Sequence, residues 1–193
     1  MSQPAISIGD SEVPRASHPL FQHLLDTYAS ETNKTASVWS EIPGDALEFR
    51  PHPRSSSVRQ ILVHQILSER RFFAEFIGLS EPAVDGLLPP GDAPTAGEYV
   101  SRLITLARPR LAALANADQA FWLAEVPFFD VRRQRIWVFW RRLLHTAHHR
   151  AQVGMCLRLA EGRVPSTYGP SADETWAGAD PTVTLDAARR GRP

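Results

Sequence analysis

The sequence predicts an all-α protein: an up-down four-helix bundle with long connections and an irregular segment before the last bundle helix. Three observations carry that expectation. Four segments repeat apolar residues at helical spacing, Pro- and Gly-rich stretches separate them, and the composition is that of an ordinary globular chain. Of 193 residues, 43% are hydrophobic and 22% charged, which suits one domain with one core.

Residues 1–14, with Pro4, Gly9 and Pro14 and little periodicity, read as a flexible leader. The bundle domain is expected over 15–176 and a polar tail over 177–193. The first helix runs from His18 to Trp39, with Leu20, Phe21, Leu24, Leu25, Tyr28 and Val38 at helical spacings. "EIPGDALEFRPHPRSSS" breaks the pattern with three prolines and a glycine, so it is a connection. Ser55, Ser56 or Ser57 caps the second helix, "VRQILVHQILSERRFFAEFIG", which stops at Gly78. After "LSEPAVDGLLPPGDAPT", Thr95 caps a third helix from Ala96 to Asn116, with Pro109 a kink or early break.

"AFWLAEVPFFDV" is short, aromatic and interrupted by Pro127, which fits either a pair of extended segments or an irregular loop. The last helix is expected from Arg132 to Ala160. Its apolar residues, among them Trp137, Phe139, Leu144, Met155 and Leu159, cover nearly every direction. Such a helix is buried on several sides, by its own bundle and by a second subunit. "EGRVPSTYGPSADETW" then reads as an ordered loop.

Net charge is zero and the isoelectric point near 7.1, so no global field draws the chain to nucleic acid or to an anionic membrane. The "RRQR" run at 132–135 reads as a solvated helix start. Cys156 is the only cysteine, which excludes an intramolecular disulfide and fits a reducing compartment. The N-terminus lacks a basic region followed by an apolar stretch, and no run of eighteen apolar residues occurs. A soluble, cytoplasmic protein is expected.

Three of the seven histidines fall in "LLHTAHHRAQV" at 143–153. On a helix, positions i and i+4 share a face, so His145 and His149 converge, whereas His148 is rotated away. Two such imidazoles can hold one metal ion, and tight binding needs a third ligand from another helix. His64, the only histidine inside the second helix, is the candidate. The bland reading is that all three are packing or rim residues. Gln152, one turn beyond, can support an imidazole or contact a ligand. The pair reads His-Thr-Ala-His-His with no glutamate inside it, unlike the His-Glu-x-x-His of metalloproteases. Cys156 is expected to be a small buried hydrophobe.

The segments "EFRPHPRSSSVRQILVHQILSERRFF" and "LLHTAHHRAQVGMCLRLAEGRVPSTYGP" together resemble the DinB/YfiT-like superfamily of bacterial four-helix-bundle proteins. The resemblance spans residues 16 to 170 and implies a metal triad of His64, His145 and His149, with His148 as a non-ligand. It also implies zinc or nickel, a homodimer, and for some relatives thiol-transferase or isomerase activity with low-molecular-weight thiols. Ala151 stands where the family usually has glycine and Leu144 where a polar residue precedes the first histidine; neither touches a proposed ligand.

Three functional expectations follow. The first is a metal-dependent enzyme, a thiol S-transferase or hydrolase acting on a small molecule. In it the ion activates a water or thiol, with outer support from Gln152, Glu69 or Arg150. The second is a non-enzymatic dimeric stress-response bundle whose structural or sensory metal has a closed shell, completed by a carboxylate such as Glu69. The third is an interaction module whose histidines only pack.

Overall fold

A computed structural model describes residues 7–175. The elements in chain order are α1 (Gln22–Ser40), α2 (Val58–Arg71), α3 (Ala96–Ala115), α4 (Gln119–Leu123), β1 (Glu125–Phe128), β2 (Val131–Gln134) and α5 (Arg135–Leu159). The four long helices form the bundle: α1 packs most extensively on α3 and next on α5, and α2 packs on α5. The interior is apolar and aromatic, with Trp39, Trp122, Phe73 and Phe139 all fully buried.

Local chemistry sets the helix starts. Ser57 is the cap of α2: its hydroxyl accepts the Gln60 amide while the Gln60 side chain accepts the Ser57 amide. Thr95 and Glu98 make the same reciprocal box at the start of α3. Each box satisfies donors that a helix start leaves free. Pro109 neither ends nor shortens α3, which continues to Ala115. Pro109 and Thr105, one turn earlier, both lie on the exposed face, so water can take the carbonyl that proline frees. Burial of Leu106, Leu111 and Leu114 keeps the helix on the core.

The second helix changes character before it stops. Beyond Arg71 the backbone opens into a π turn, Phe72–Ile77, which ends at Gly78 in the left-handed region at φ 83°. That turn places Phe72, Phe73 and Phe76 inside the bundle.

Several expectations need correction. One residue of the leader is anchored: Ile8 is fully buried, and its backbone N–H and C=O both bond the Asn33 side chain. For the aromatic segment before the last helix the reading as a pair of extended segments holds: a short helix leads into an antiparallel hairpin, with Phe128 opposite Val131 and Phe129 in the turn at φ 53°. Arg132, Arg133 and Gln134 therefore lie on β2 instead of starting α5. The last helix is less buried than its apolar residues suggested. Trp137, Leu144, Met155 and Leu159 are exposed on one face, while Arg142 and Arg150 are buried on others. Ion pairing lets the two arginines occupy core positions. The expected tail, 177–193, lies outside the described residues. Among those residues no helix is long and apolar enough to cross a membrane.

Candidate metal centre

At the middle of the bundle one polar cluster joins all four long helices. The Tyr28 hydroxyl of α1 donates to Glu69 of α2 at 2.6 Å. Arg110 of α3 donates to the same carboxylate at 2.9 Å and forks onto Glu81 at 2.7 and 2.6 Å. Arg142 of α5 reaches the other Glu69 oxygen at 3.2 Å. Burial alone would raise the pKa of the Glu69 carboxyl. The guanidiniums of Arg110 and Arg142 outweigh it and hold the group below the ordinary carboxylate range. Charges buried this deeply persist because they are paired and hydrogen-bonded.

Arg142 carries the cluster outward to the histidines. Besides Glu69, its guanidinium donates to the backbone and side-chain oxygens of Gln65, to the Ser68 hydroxyl, and to Nδ1 of His145 at 2.8 Å. An arginine has only donors, so Nδ1 of His145 is the acceptor and Nε2 is the ring atom that faces out of the helix pair. There Nε2 of His145 lies 3.2 Å from Nε2 of His149. Nδ1 of His149 lies 2.7 Å from the Gln152 side-chain oxygen, to which it donates. The contacts thus form one directional chain, Arg142 to His145 to His149 to Gln152, with both rings neutral.

His64 projects from α2 onto the same spot, its ring 4.7 Å from that of His149 and 5.3 Å from that of His145. One nitrogen from each of His64, His145 and His149 lies within 4.8 Å of the others. The donor set fits a divalent ion. Two nitrogens bonded at about 2.05 Å to a tetrahedral centre stand about 3.3 Å apart, close to the separation of the two Nε2 atoms. Because a His145 ring that accepts at Nδ1 carries its own proton at Nε2, an ion taken at that atom displaces the proton.

All three imidazoles are held out of the cationic form, in which neither ring nitrogen could ligate. Burial is the main cause for each. For His145 the Arg142 charge comes next, followed by the other two rings and Arg141, and the pKa is pushed down to about 3. His64 is lowered by burial and then by Arg142. His149 is lowered by burial, against a raising contribution from Gln152.

Two cavities open on the triad. One, of about 540 Å³, runs between α2 and α5 past Gln60, Ile61, Met155 and Cys156, with His64 and His149 on its wall. The other, of about 570 Å³, lies towards the hairpin with His64 and His145 on its wall. Phe72, from the π turn, stacks on His145 with ring centroids 6.2 Å apart. Phe128 of the hairpin packs on Phe72 and Phe76.

The structure thus brings together His64, His145, His149 and Gln152. It does not place the other two support residues as expected. Glu69 is held by Tyr28, Arg110 and Arg142 and acts on His145 only through Arg142, so it is not free to complete a metal shell. Arg150 points to the opposite side of α5, where it donates to Glu31 at 2.8 Å and to the Tyr168 hydroxyl at 2.6 Å. His148 lines the first cavity but is not in the triad. Cys156 is buried, and burial pushes its thiol pKa up, which makes it a packing residue. Sequence reasoning missed Arg142. Its one local signal is the spacing of three from His145, which lets the two side chains meet on a helix.

A four-helix bundle with three histidines converging between α2 and α5 defines the class. The family model for the DinB superfamily matches residues 27–153, more than half of the sequence, and the chain belongs to that superfamily. No curated protein matches it. Among solved structures it is similar to a DinB-like protein from Bacillus cereus ATCC 10987, with a TM-score of 0.59 and 16% identity over 75% of this chain and 95% of that one. It is also similar to the DinB-like protein YjoA from Bacillus subtilis, with a TM-score of 0.55 and 16% identity over 79% of this chain and 99% of that one. At that identity the likeness concerns the fold.

Proposed function

We propose that the protein is a divalent-metal-dependent enzyme of thiol S-transferase or hydrolase type. In this reading His64, His145 and His149 hold zinc or nickel. The observation that carries it is the convergence of three neutral imidazole nitrogens on a point flanked by two cavities. Such an ion, when bound, supplies Lewis acidity and lowers the pKa of a water or thiol placed beside it.

The chain's own residues do the rest. Arg142 fixes the ring of His145, Gln152 fixes that of His149, and Phe72 covers one side and keeps water from it. The apolar wall of Ile61 and Met155 suits the carbon body of a small molecule. The reading with a closed structural or sensory shell loses support, because its expected carboxylate, Glu69, is engaged with two arginines. The exposed apolar face of α5, with Trp137, Leu144 and Met155, supports a homodimer.

The decisive measurement is metal content, by elemental mass spectrometry on untagged protein purified without chelators, beside His64→Ala and His145→Ala. Stoichiometric zinc or nickel in the wild type and its loss in both variants is the expected result. Wild-type protein that is empty and cannot be loaded with either ion would sink the enzyme reading. On nickel-loaded protein, azide should perturb the ligand-field spectrum, since an enzyme site keeps an open position and a structural site does not.

A further inference from the structure

The cavity beside the hairpin holds more than the histidines require. Its wall, beyond His64 and His145, is made of Ser68, Arg71, Arg141 and the rings of Phe72, Phe128 and Phe129. Among the described residues no carboxylate lines it. Arg71 is paired with Glu75 at 2.8 Å, so its charge is largely offset. Arg141 makes no hydrogen bond or ion pair among the described residues, yet it faces the same space. Arg141, exposed on α5, is thus the one cation on this wall without a side-chain partner among the described residues, beside three phenylalanine rings.

The rim is unusual as well. Phe129 is 63% exposed and takes φ 53°, a conformation that side-chain-bearing residues adopt at a cost. Its ring packs on Phe128 at 4.8 Å and on Phe76 at 5.2 Å between centroids, and its remaining surface stands open at the mouth of the cavity. A ring at the mouth of a pocket is rewarded when a flat ligand stacks on it.

We propose that this cavity binds an organic monoanion, a carboxylate on a flat apolar body. Arg141 takes the carboxylate through its planar fork, and Phe72, Phe128 and Phe129 take the body. A single net charge favours a monoanion over a phosphate dianion, which would need more donors than the wall offers. Bound there, the molecule lies against His64 and His145. As a substrate site the cavity rests on the metal-enzyme reading above, but the binding itself needs no ion.

The test uses phenylacetate and its uncharged isostere phenylacetamide, titrated calorimetrically into the full chain, metal-free and nickel-loaded. The expected result is an acid that binds about tenfold tighter than the amide in both forms, the size of a charge-assisted bidentate contact. Arg141→Gln should bring the acid down to the level of the amide while leaving the amide unchanged, which controls for misfolding. Equal binding of acid and amide by the wild type overturns the proposal, as does a preference that survives Arg141→Gln. A preference present only in the nickel-loaded form also overturns it, because the ion would then be holding the carboxylate. Metal content of the same samples is read separately. Protein that takes no metal but keeps the preference removes the enzyme reading and leaves this site standing.

Discussion

Arg142 and Arg150 stand two turns apart on α5, both buried, both paired with a glutamate, and they serve opposite sides of the bundle. Arg142 faces Glu69 and passes its remaining donors to Gln65, Ser68 and His145. Arg150 faces Glu31, and its second partner is Tyr168, from the segment that follows α5. Tyr168 also donates to Glu31, and Lys34 lies over its ring. The first arginine couples the core to the metal centre; the second fastens the chain's return across α1. The same residue on the same helix is therefore a positioning device in one place and an anchor in the other. What separates them is the identity of the third group that each one touches.

The sharpest way to break that comparison is to remove both charges in turn while keeping side-chain length. Arg142→Met leaves Glu69 buried with Arg110 and Tyr28 as its only partners and frees Nδ1 of His145. Breaking a buried pair from one side costs about 3–5 kcal/mol, and because Arg142 holds Nδ1 of His145, its loss should shift metal affinity by about 10- to 100-fold, the size of an outer-partner effect. Denaturant unfolding of metal-free protein and a competitive chelator titration measure the two effects. Arg150→Met should destabilise less, about 2–3 kcal/mol, because Glu31 keeps both Lys34 and Tyr168 as partners. Its zinc or nickel affinity should equal that of the wild type. If Arg150→Met weakens metal binding as much as Arg142→Met does, the separation of roles is wrong.

Acid offers a second separation. In unfolded chains an imidazole titrates near 6.5, whereas His145 in the fold titrates at about 3 and His64 and His149 are lowered as well. Between those values the unfolded state binds protons that the folded state refuses, so stability of the metal-free protein falls as pH drops through that window. Glu69 and Glu31 are also lowered, but their loss begins only near the ordinary carboxylate range. A decline in unfolding free energy that starts below about pH 6.5 therefore belongs to the triad. Arg142→Met should flatten that early decline, since Arg142 is the second cause of the His145 shift. Arg150→Met should leave it in place. An unfolding free energy that stays level from neutrality to the carboxylate range would contradict the shifts.

The two arginines also mark what was legible in the sequence. The His145–His149 pair is a statement about one helix, where spacing of four fixes a shared face, and no tertiary knowledge is needed. His64 could be joined to it because it is the only histidine of the second helix and because the family motif has one there. The four bundle helices were readable for the same reason: periodicity and caps are local. Arg150 was read as an outer contact and Arg142 was not singled out, since what buries an arginine is a glutamate on another helix, and sequence spacing does not reveal it. The hairpin was legible only as one of two alternatives, because β2, Val131–Gln134, is exposed throughout and charged, without the alternation that signals a strand. Its consequence, the aromatic wall beside the triad, stayed hidden.

The smallest expected effect concerns the far end of the ring chain, Gln152. Its side chain touches His149 and nothing else in the hydrogen-bond pattern, and it is exposed on α5. Removing it withdraws the acceptor that holds the Nδ1 proton, so the His149 ring can rotate and its free Nε2 is no longer aimed at the shared point. Gln152→Ala should thus weaken metal binding by about tenfold, at the low end for a ligand-orienting group. Stability of the metal-free protein should stay within about 0.5 kcal/mol of wild type, as for most exposed helix positions. Gln152→Glu sharpens the point, because a carboxylate accepts the same proton more strongly and should restore or exceed wild-type affinity in the chelator titration. If alanine and glutamate bind metal alike, the side chain at this position does not orient His149, and the outer support of the centre is confined to the Arg142 side.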